Sequence, residues 1–190
     1  YMKKLFICIV IMFCMVVATP AQATNMNKYS DNGKIESALN ILESINANDV
    51  FNRLDNGSIK IMFYDLSLID YSYAKHYAVS STDENGNNYI LINERYQNAP
   101  AEAIASLIAH ESVHVLPQAT MDEEVQATTT EARTWLRLKD RVSSDYNSNE
   151  LVKRENNLGI MYQASTGSSN LIKASIASNS FYQQQLAMSH

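Results

Sequence analysis

Five consecutive residues combine side-chain types that hydrolytic metal centres use: His110-Glu111-Ser112-Val113-His114. On an α-helix, side chains four positions apart share a face, so His110 and His114 can bind one metal ion. Glu111 lies about 100° further round the axis, where it can reach a water molecule on that ion. Zinc lowers the pKa of such a water towards neutrality, and a nearby carboxylate can then accept its proton. The pattern predicts a zinc site with Glu111 as general base.

The residues around the two histidines are uncharged from Ile108 to Leu116, apart from the motif itself. Such a composition is typical of a buried helix. Two imidazoles and a carboxylate are costly in that setting unless they have partners. Both a metal ion and ordinary hydrogen bonds within a metal-free helix would satisfy them. The metal site is the favoured interpretation, and the metal-free helix is the alternative.

An amphipathic helix and three strands are predicted before the motif. Apolar residues recur at helical spacing over roughly residues 34–47. Residues 58–64 alternate between polar and apolar types, as a half-buried strand does. Residues 77–82 and 89–93 flank an Asn-Gly pair, which is a hairpin signal. Together these segments predict a small antiparallel sheet.

Helices dominate the second half of the chain. Residues 101–116 are apolar on nearly all sides, which predicts a buried helix that ends before Pro117. A capping box at Thr120 precedes a second helix, expected over residues 121–141. Weaker helical patterns follow over residues 150–163 and 170–187. This order of elements predicts an α+β domain.

The first segment has the organisation of a secretory signal peptide. Two lysines precede an apolar run, and Ala21-Gln22-Ala23 offers small residues where a signal peptidase cleaves. The run from Leu5 to Ala18 is shorter than the roughly 20 residues of a membrane span, so an uncleaved anchor is the less favoured alternative. We therefore expect a signal peptide over residues 1–23, a single domain over 24–190, export to the periplasm or the medium, and no stable membrane anchor after cleavage.

The composition of the chain limits which macromolecular partners and which metal ligands are expected. The net charge of −5 disfavours nucleic acid, because nucleic-acid binders usually carry a basic face. Both cysteines, Cys8 and Cys14, lie in the segment expected to be removed, so no disulfide or thiolate ligand is expected in the exported domain. Any metal must then be held by histidines and carboxylates. Nothing in the sequence indicates an oligomeric state.

The segment from His110 to His114, followed by a helix that carries glutamates, resembles the gluzincin metallopeptidases, specifically their small minimal-domain forms. The resemblance covers the order of elements over residues 34–141 and the sequence itself over 103–135. It implies a zincin-like single domain with a small antiparallel sheet, a buried HExxH helix and a following helix that bears a glutamate ligand. It also implies hydrolysis of peptide bonds with Zn²⁺ as cofactor.

The third metal ligand is expected on the helix after the motif. A short turn makes the two helices antiparallel neighbours, so an early residue of the second helix lies level with His114. Glu124 is preferred, since the small residues Ala127 and Thr128 follow on its face, which is similar to the family's glutamate. Glu123 is assigned to the helix cap. The full set of candidates is Asp122, Glu123, Glu124 and Glu131.

The sequence leaves open the role of Glu131 and the identity of the residue that stabilises the oxyanion. Glu131 either accepts the free ring N–H of His110, as outer partners of metal-bound histidines do, or pairs with Arg133 or Arg137 on its own helix. Trp135 is expected in the core. A hydrogen-bond donor for the oxyanion is not assigned among Tyr146, Tyr162, Tyr182 and His76.

The predicted strand over residues 89–93 is expected to border the cleft and to offer an edge to an extended peptide. The sequence thus predicts an exported zinc-dependent metallopeptidase that acts on a peptide or protein substrate. The alternative is an inactive zinc-binding or metal-free interaction protein of the cell envelope. Metal content and activity on peptide libraries distinguish these functions.

Overall fold

The computed structural model of the protein describes residues 25–115 and 120–179. The expected signal peptide, both cysteines, Pro117, Tyr182 and the predicted end of the last helix lie outside the described residues. None of the described helices has the length and apolar character needed to cross a bilayer.

Six helices and three strands make up the described chain, which confirms the predicted α+β class. The helices are α1 Gly33–Ser44, α2 Asn48–Asn56, α3 Ala101–Glu111, α4 Met121–Leu138, α5 Glu150–Ala164 and α6 Asn170–Ser178. The strands are β1 Lys60–Tyr64, β2 Ala78–Thr82 and β3 Asn88–Asn93. Short 3₁₀ turns join several of these elements.

The sheet has the strand order β1-β3-β2 and is mixed rather than antiparallel. β2 and β3 form the predicted antiparallel hairpin. β1 pairs in parallel with β3, because the 3₁₀ turns at Leu66–Leu68 and Tyr71–Lys75 carry the chain across before β2 begins. The prediction that residues 89–93 offer a free edge is therefore wrong, since β3 is paired on both sides. The outer edge next to α3 belongs to β2.

α2 was not predicted from the sequence. It has nine residues, and only Val50 and Leu54 are buried, so its apolar repeat is too short to stand out. α1 matches its predicted range closely. Its first turn is capped by Asn32, whose side chain accepts hydrogen bonds from the backbone N–H groups of Lys34 and Ile35.

α3 lies at the centre of the core, with every residue from Ala103 to Glu111 buried. It packs against α1 on one side and α4 on the other. Ile104, Leu107 and Ile108 are fully buried, and each such side chain stabilises the fold by about 1.5–3 kcal/mol relative to exposure. The helix ends at Glu111 and continues as a 3₁₀ turn over Ser112–Val115, which is a tighter ending than the sequence indicated.

α5 packs against α4 behind this central helix. Trp135 of α4 is buried, as expected of a core residue, and its indole N–H donates to Asn156 Oδ1 at 3.0 Å. Gly159 allows a close approach, because a Cβ at that position would lie 3.1 Å from Leu136 Cδ2. The arrangement fixes α5 tightly against the helix that follows the motif.

Candidate metal centre

Three side chains that the sequence analysis selected meet at one point. His110 lies in the last turn of α3, His114 in the following 3₁₀ turn, and Glu124 in the first turn of α4. The Nε2 atoms of the two histidines are 3.2 Å apart. The carboxylate oxygens of Glu124 lie 3.6 Å from His110 Nε2 and 3.4 Å from His114 Nε2. These three residues therefore form a compact set of metal-ligating atoms.

The outward-facing nitrogen of each histidine meets a carboxylate. His110 Nδ1 lies 2.9 Å from Glu131 Oε2, and His114 Nδ1 lies 2.7 Å from Glu123 Oε1. An ionised carboxylate only accepts hydrogen bonds, so each Nδ1 carries the proton and donates it. Each Nε2 therefore faces the centre, where it can bind a metal ion once it carries no proton. Outer carboxylate partners of this kind orient the rings of metal-binding histidines.

The ligand atoms fit a zinc ion in both spacing and chemistry. Zinc–nitrogen distances near 2.0–2.1 Å in a tetrahedral shell place neighbouring ligand atoms about 3.3 Å apart. The two histidine nitrogens, 3.2 Å apart, are close to that value, and each has a different Glu124 oxygen nearby: Oε1 at 3.6 Å from His110 Nε2 and Oε2 at 3.4 Å from His114 Nε2. Two imidazoles and one carboxylate also match the ligand composition of open catalytic zinc sites.

Glu131 and Glu123 take outer positions around this centre. Glu131 accepts the His110 N–H, one of its two expected roles, and its other partner is Arg154 of α5 rather than Arg133 or Arg137. The backbone N–H of Glu123 donates to the Thr120 hydroxyl, as in the predicted cap, while its side chain bonds to His114. The remaining ligand candidate, Asp122, is exposed and pairs with Lys173 at 3.4 Å.

Glu111 lies beside the centre on the face towards the sheet. Its Oε2 is 3.2 Å from the Ser80 hydroxyl, and the same hydroxyl is 3.1 Å from the Glu111 main-chain oxygen. Burial raises the pKa of the Glu111 carboxyl, although the charges of His110 and His114 act in the opposite direction. A carboxyl with a raised pKa is suited to accept and return a proton near neutral pH. Sequence reasoning missed Ser80, because a strand serine carries no signal of this contact.

A charged cluster lies behind His110. Arg154 donates to both oxygens of Glu131, with Nη2 2.9 Å from Oε2, and to Glu155 Oε1 at 3.0 Å. Burial acts to raise the pKa of Glu131, but the charge of Arg154 and the contact with His110 hold it well below its ordinary value. Burial and the charge of Glu131 raise the pKa of Glu155. Burial lowers the pKa of His110, but Glu131 outweighs it and raises that pKa to about 9.

A small cleft runs from His114 along the β2–β3 hairpin. Among the described residues, its walls carry hydroxyl, amide, imidazole and apolar groups; they are formed by Ile59, Ser80, Ser81, Thr82, Asn88, Tyr89 and His114. The cleft thus places His114 beside residues of β2, of β3 and of the segment before β1.

The candidate oxyanion donors lie in different parts of the fold. Tyr146 packs against the main core, and Tyr162 packs against the smaller cluster between α4, α5 and α6. His76 makes an edge contact with the Tyr73 ring, with centroids 4.9 Å apart. These placements do not select a donor among them.

In comparisons with protein-family models, curated proteins and solved structures, nothing matched this chain. The resemblance to gluzincins thus rests on the motif and the order of elements. The function has to be argued from the geometry of His110, His114 and Glu124.

Proposed function

We propose that the protein is a zinc-dependent metallopeptidase, with His110, His114 and Glu124 as metal ligands and Glu111 as general base. The observation that carries the proposal is the convergence of two imidazole Nε2 atoms and one carboxylate, with each Nδ1 bonded to a carboxylate of its own. A bound zinc ion supplies a Lewis acid, which polarises a carbonyl group and acidifies water.

Glu111 is placed to move the proton. It is buried against the sheet, and one of its oxygens accepts the Ser80 hydroxyl, which holds the carboxylate in one orientation. We infer that Glu111 accepts a proton from the attacking water and later delivers it to the leaving amine. Burial favours this exchange, because it raises the pKa of the carboxyl towards the range where both steps are easy.

The substrate is proposed to be an extended peptide segment that lies along β2. Among the described strands β2 pairs only with β3, so the backbone groups of its outer edge are available to a peptide. The adjoining cleft reaches His114 and is lined mainly by hydroxyl, amide and apolar side chains, which suits a neutral peptide backbone. A scissile bond would then lie between the cleft and Glu111.

The decisive experiment compares Glu111→Gln with the wild type. The amide keeps the shape of the carboxylate and cannot accept the proton, so we expect zinc content to stay at one ion per chain while hydrolysis of a peptide library falls by about 10²–10⁴-fold. Glu102→Gln is the matched control, since Glu102 lies in the first turn of the same helix. Unchanged hydrolysis in Glu111→Gln would overturn the mechanism.

Metal analysis of Glu124→Ala tests the ligand set. Loss of a ligand should abolish stoichiometric zinc, whereas Asp122→Ala should retain it, because Asp122 faces solvent. A wild type that binds zinc and cleaves no member of a broad peptide library would indicate a zinc-binding interaction protein instead.

A further inference from the structure

The guanidinium group of Arg154, whose side chain is 16% exposed, lies directly behind the candidate metal centre. The terminal nitrogens of Arg154 donate to both oxygens of Glu131, one of them at 2.9 Å. The side chain of Glu131 is 0% exposed, and the oxygen that accepts from Arg154 Nη2 also lies 2.9 Å from His110 Nδ1. A continuous chain of hydrogen bonds therefore runs from Arg154 through Glu131 to a metal ligand.

We propose that Arg154 is a positioning residue for the metal centre: its two-point contact fixes the Glu131 carboxylate and, through it, the ring of His110. The inference rests on the metal site of the proposed function. It adds a third layer to that site, because α5 supplies a residue that acts on His110 through the Glu131 carboxylate.

Arg154 is itself held in place on more than one side. Its guanidinium carbon lies 4.4 Å from the centroid of the Tyr77 ring, which stacks on Tyr96 at 5.2 Å. Its Nη1 also donates to Glu155 at 3.0 Å. The planar fork of an arginine matches a carboxylate with two parallel bonds, which a lysine cannot do. The orientation of Glu131 is thus determined by a group that has little freedom of its own.

Removing this contact should disturb the metal site without removing any ligand. The Glu131 carboxylate would stay fully buried next to Glu155, with His110 as its remaining bonded partner and without the charge of the guanidinium. The carboxylate would then no longer be aligned with His110 Nδ1. Changes to outer partners of metal ligands typically weaken metal binding 10–100-fold. Because Arg154 acts one contact further out, we expect a loss near tenfold.

The test is the zinc dissociation constant, measured by competition with a chromophoric chelator. Arg154→Met should weaken binding about tenfold, and Arg154→Lys should fall between it and the wild type. Lys153→Met is the control, because Lys153 is the exposed neighbour on the same helix. Wild-type affinity in Arg154→Met, or in Arg154→Lys if the first variant does not fold, overturns the inference.

A merely structural role is separated by repeating the substitutions in a Glu131→Gln background. If Arg154 acts through Glu131, its replacement there should change the dissociation constant by less than about twofold. An undiminished effect in that background would overturn the proposed route. The wild type is measured first: no zinc binding there contradicts the proposed function, whereas zinc binding that ignores Arg154 contradicts this inference alone.

Discussion

The two histidines of the candidate centre sit in unlike surroundings. His110 belongs to the regular part of α3, its side chain is 7% exposed, and its partner Glu131 is backed by Arg154 of α5. His114 belongs to a 3₁₀ turn, its side chain is 17% exposed, and it borders the cleft beside β2. Its partner Glu123 lies in the first turn of α4.

This difference separates a closed side from an open side. The closed side, His110 with Glu131, is part of the core, so its geometry is set by the packing of α3, α4 and α5. The open side, His114 with Glu123, faces the place where a substrate would enter. A centre built in this way holds one ligand rigidly and leaves access at the other, as a hydrolytic site requires.

The largest expected difference is in stability. Glu131 is fully buried and bonds to both Arg154 and His110, so Glu131→Ala breaks a buried ion pair, and we expect the free energy of unfolding of the metal-free protein to fall by about 3–5 kcal/mol. Glu123→Ala removes one hydrogen bond at a more open position and should lower it by about 1–2 kcal/mol. Urea unfolding in the presence of a chelator measures both. Equal losses would contradict the distinction between the two sides.

Zinc affinity should also fall more for a substitution at Glu131 than for one at Glu123, but the difference between the two should be smaller in free energy than the difference in stability. Glu131→Gln and Glu123→Gln replace the acceptor of each histidine N–H by a weaker, neutral one. We expect the dissociation constant to rise about 100-fold in the first variant and about tenfold in the second, the two ends of the usual range for outer partners. Competition with a chelator measures both dissociation constants. A larger rise in Glu123→Gln than in Glu131→Gln would contradict the expected order.

A substitution at Ser80 tests whether the open side takes part in peptide hydrolysis. Ser80→Ala removes the hydroxyl that orients Glu111, which should slow peptide hydrolysis about fivefold to tenfold, the value of one hydrogen bond. Zinc affinity should not change, because no ligand is touched. Ser37→Ala is the control, since the exposed Ser37 hydroxyl donates to the Gly33 main-chain oxygen within α1, away from the cleft. Equal rates for wild type and Ser80→Ala would remove Ser80 from the site.

The smallest effect concerns the packing behind the closed side. A Cβ at Gly159 would meet Leu136 Cδ2 at 3.1 Å and Trp135 Cδ1 at 3.3 Å, whereas one at Gly33 would meet nothing within 4 Å. Gly33→Ala should raise the free energy of unfolding by about 0.4–1 kcal/mol. Gly159→Ala should raise the free energy of unfolding by less than Gly33→Ala does, or should lower it. Thermal melts compare them, and an equal gain would mean that α4 and α5 are loosely packed.

Local patterns carried most of what could be predicted. The i, i+4 spacing of His110 and His114 and the apolar repeats of the helices are short-range properties, and the Asn-Gly turn identified the β2–β3 hairpin. The short turn pointed to an early residue of the second helix, and Glu124 was preferred there because Ala127 and Thr128 follow on its face, as the resemblance to the gluzincins implies. The export signal over residues 1–23 stays a prediction.

Features that depend on distant packing could not be predicted. Arg154 reaches Glu131 from another helix, and Ser80 reaches Glu111 from the sheet, so neither has a signal in its own neighbourhood. The parallel pairing of β1 was missed for the same reason. The Asn-Gly turn predicts that β2 pairs with β3. It does not predict which strand pairs with the other edge of β3.

The strand order also bears on how the chain assembles. A hairpin closes locally within about 1–10 μs, whereas Lys60 must find Tyr89 across the whole intervening segment before β1 can join. Closing that longer loop is slower and entropically less favourable. We therefore expect β1 to add to an already formed hairpin, so that substitutions in β2 and β3 slow refolding while those in β1 mainly speed unfolding.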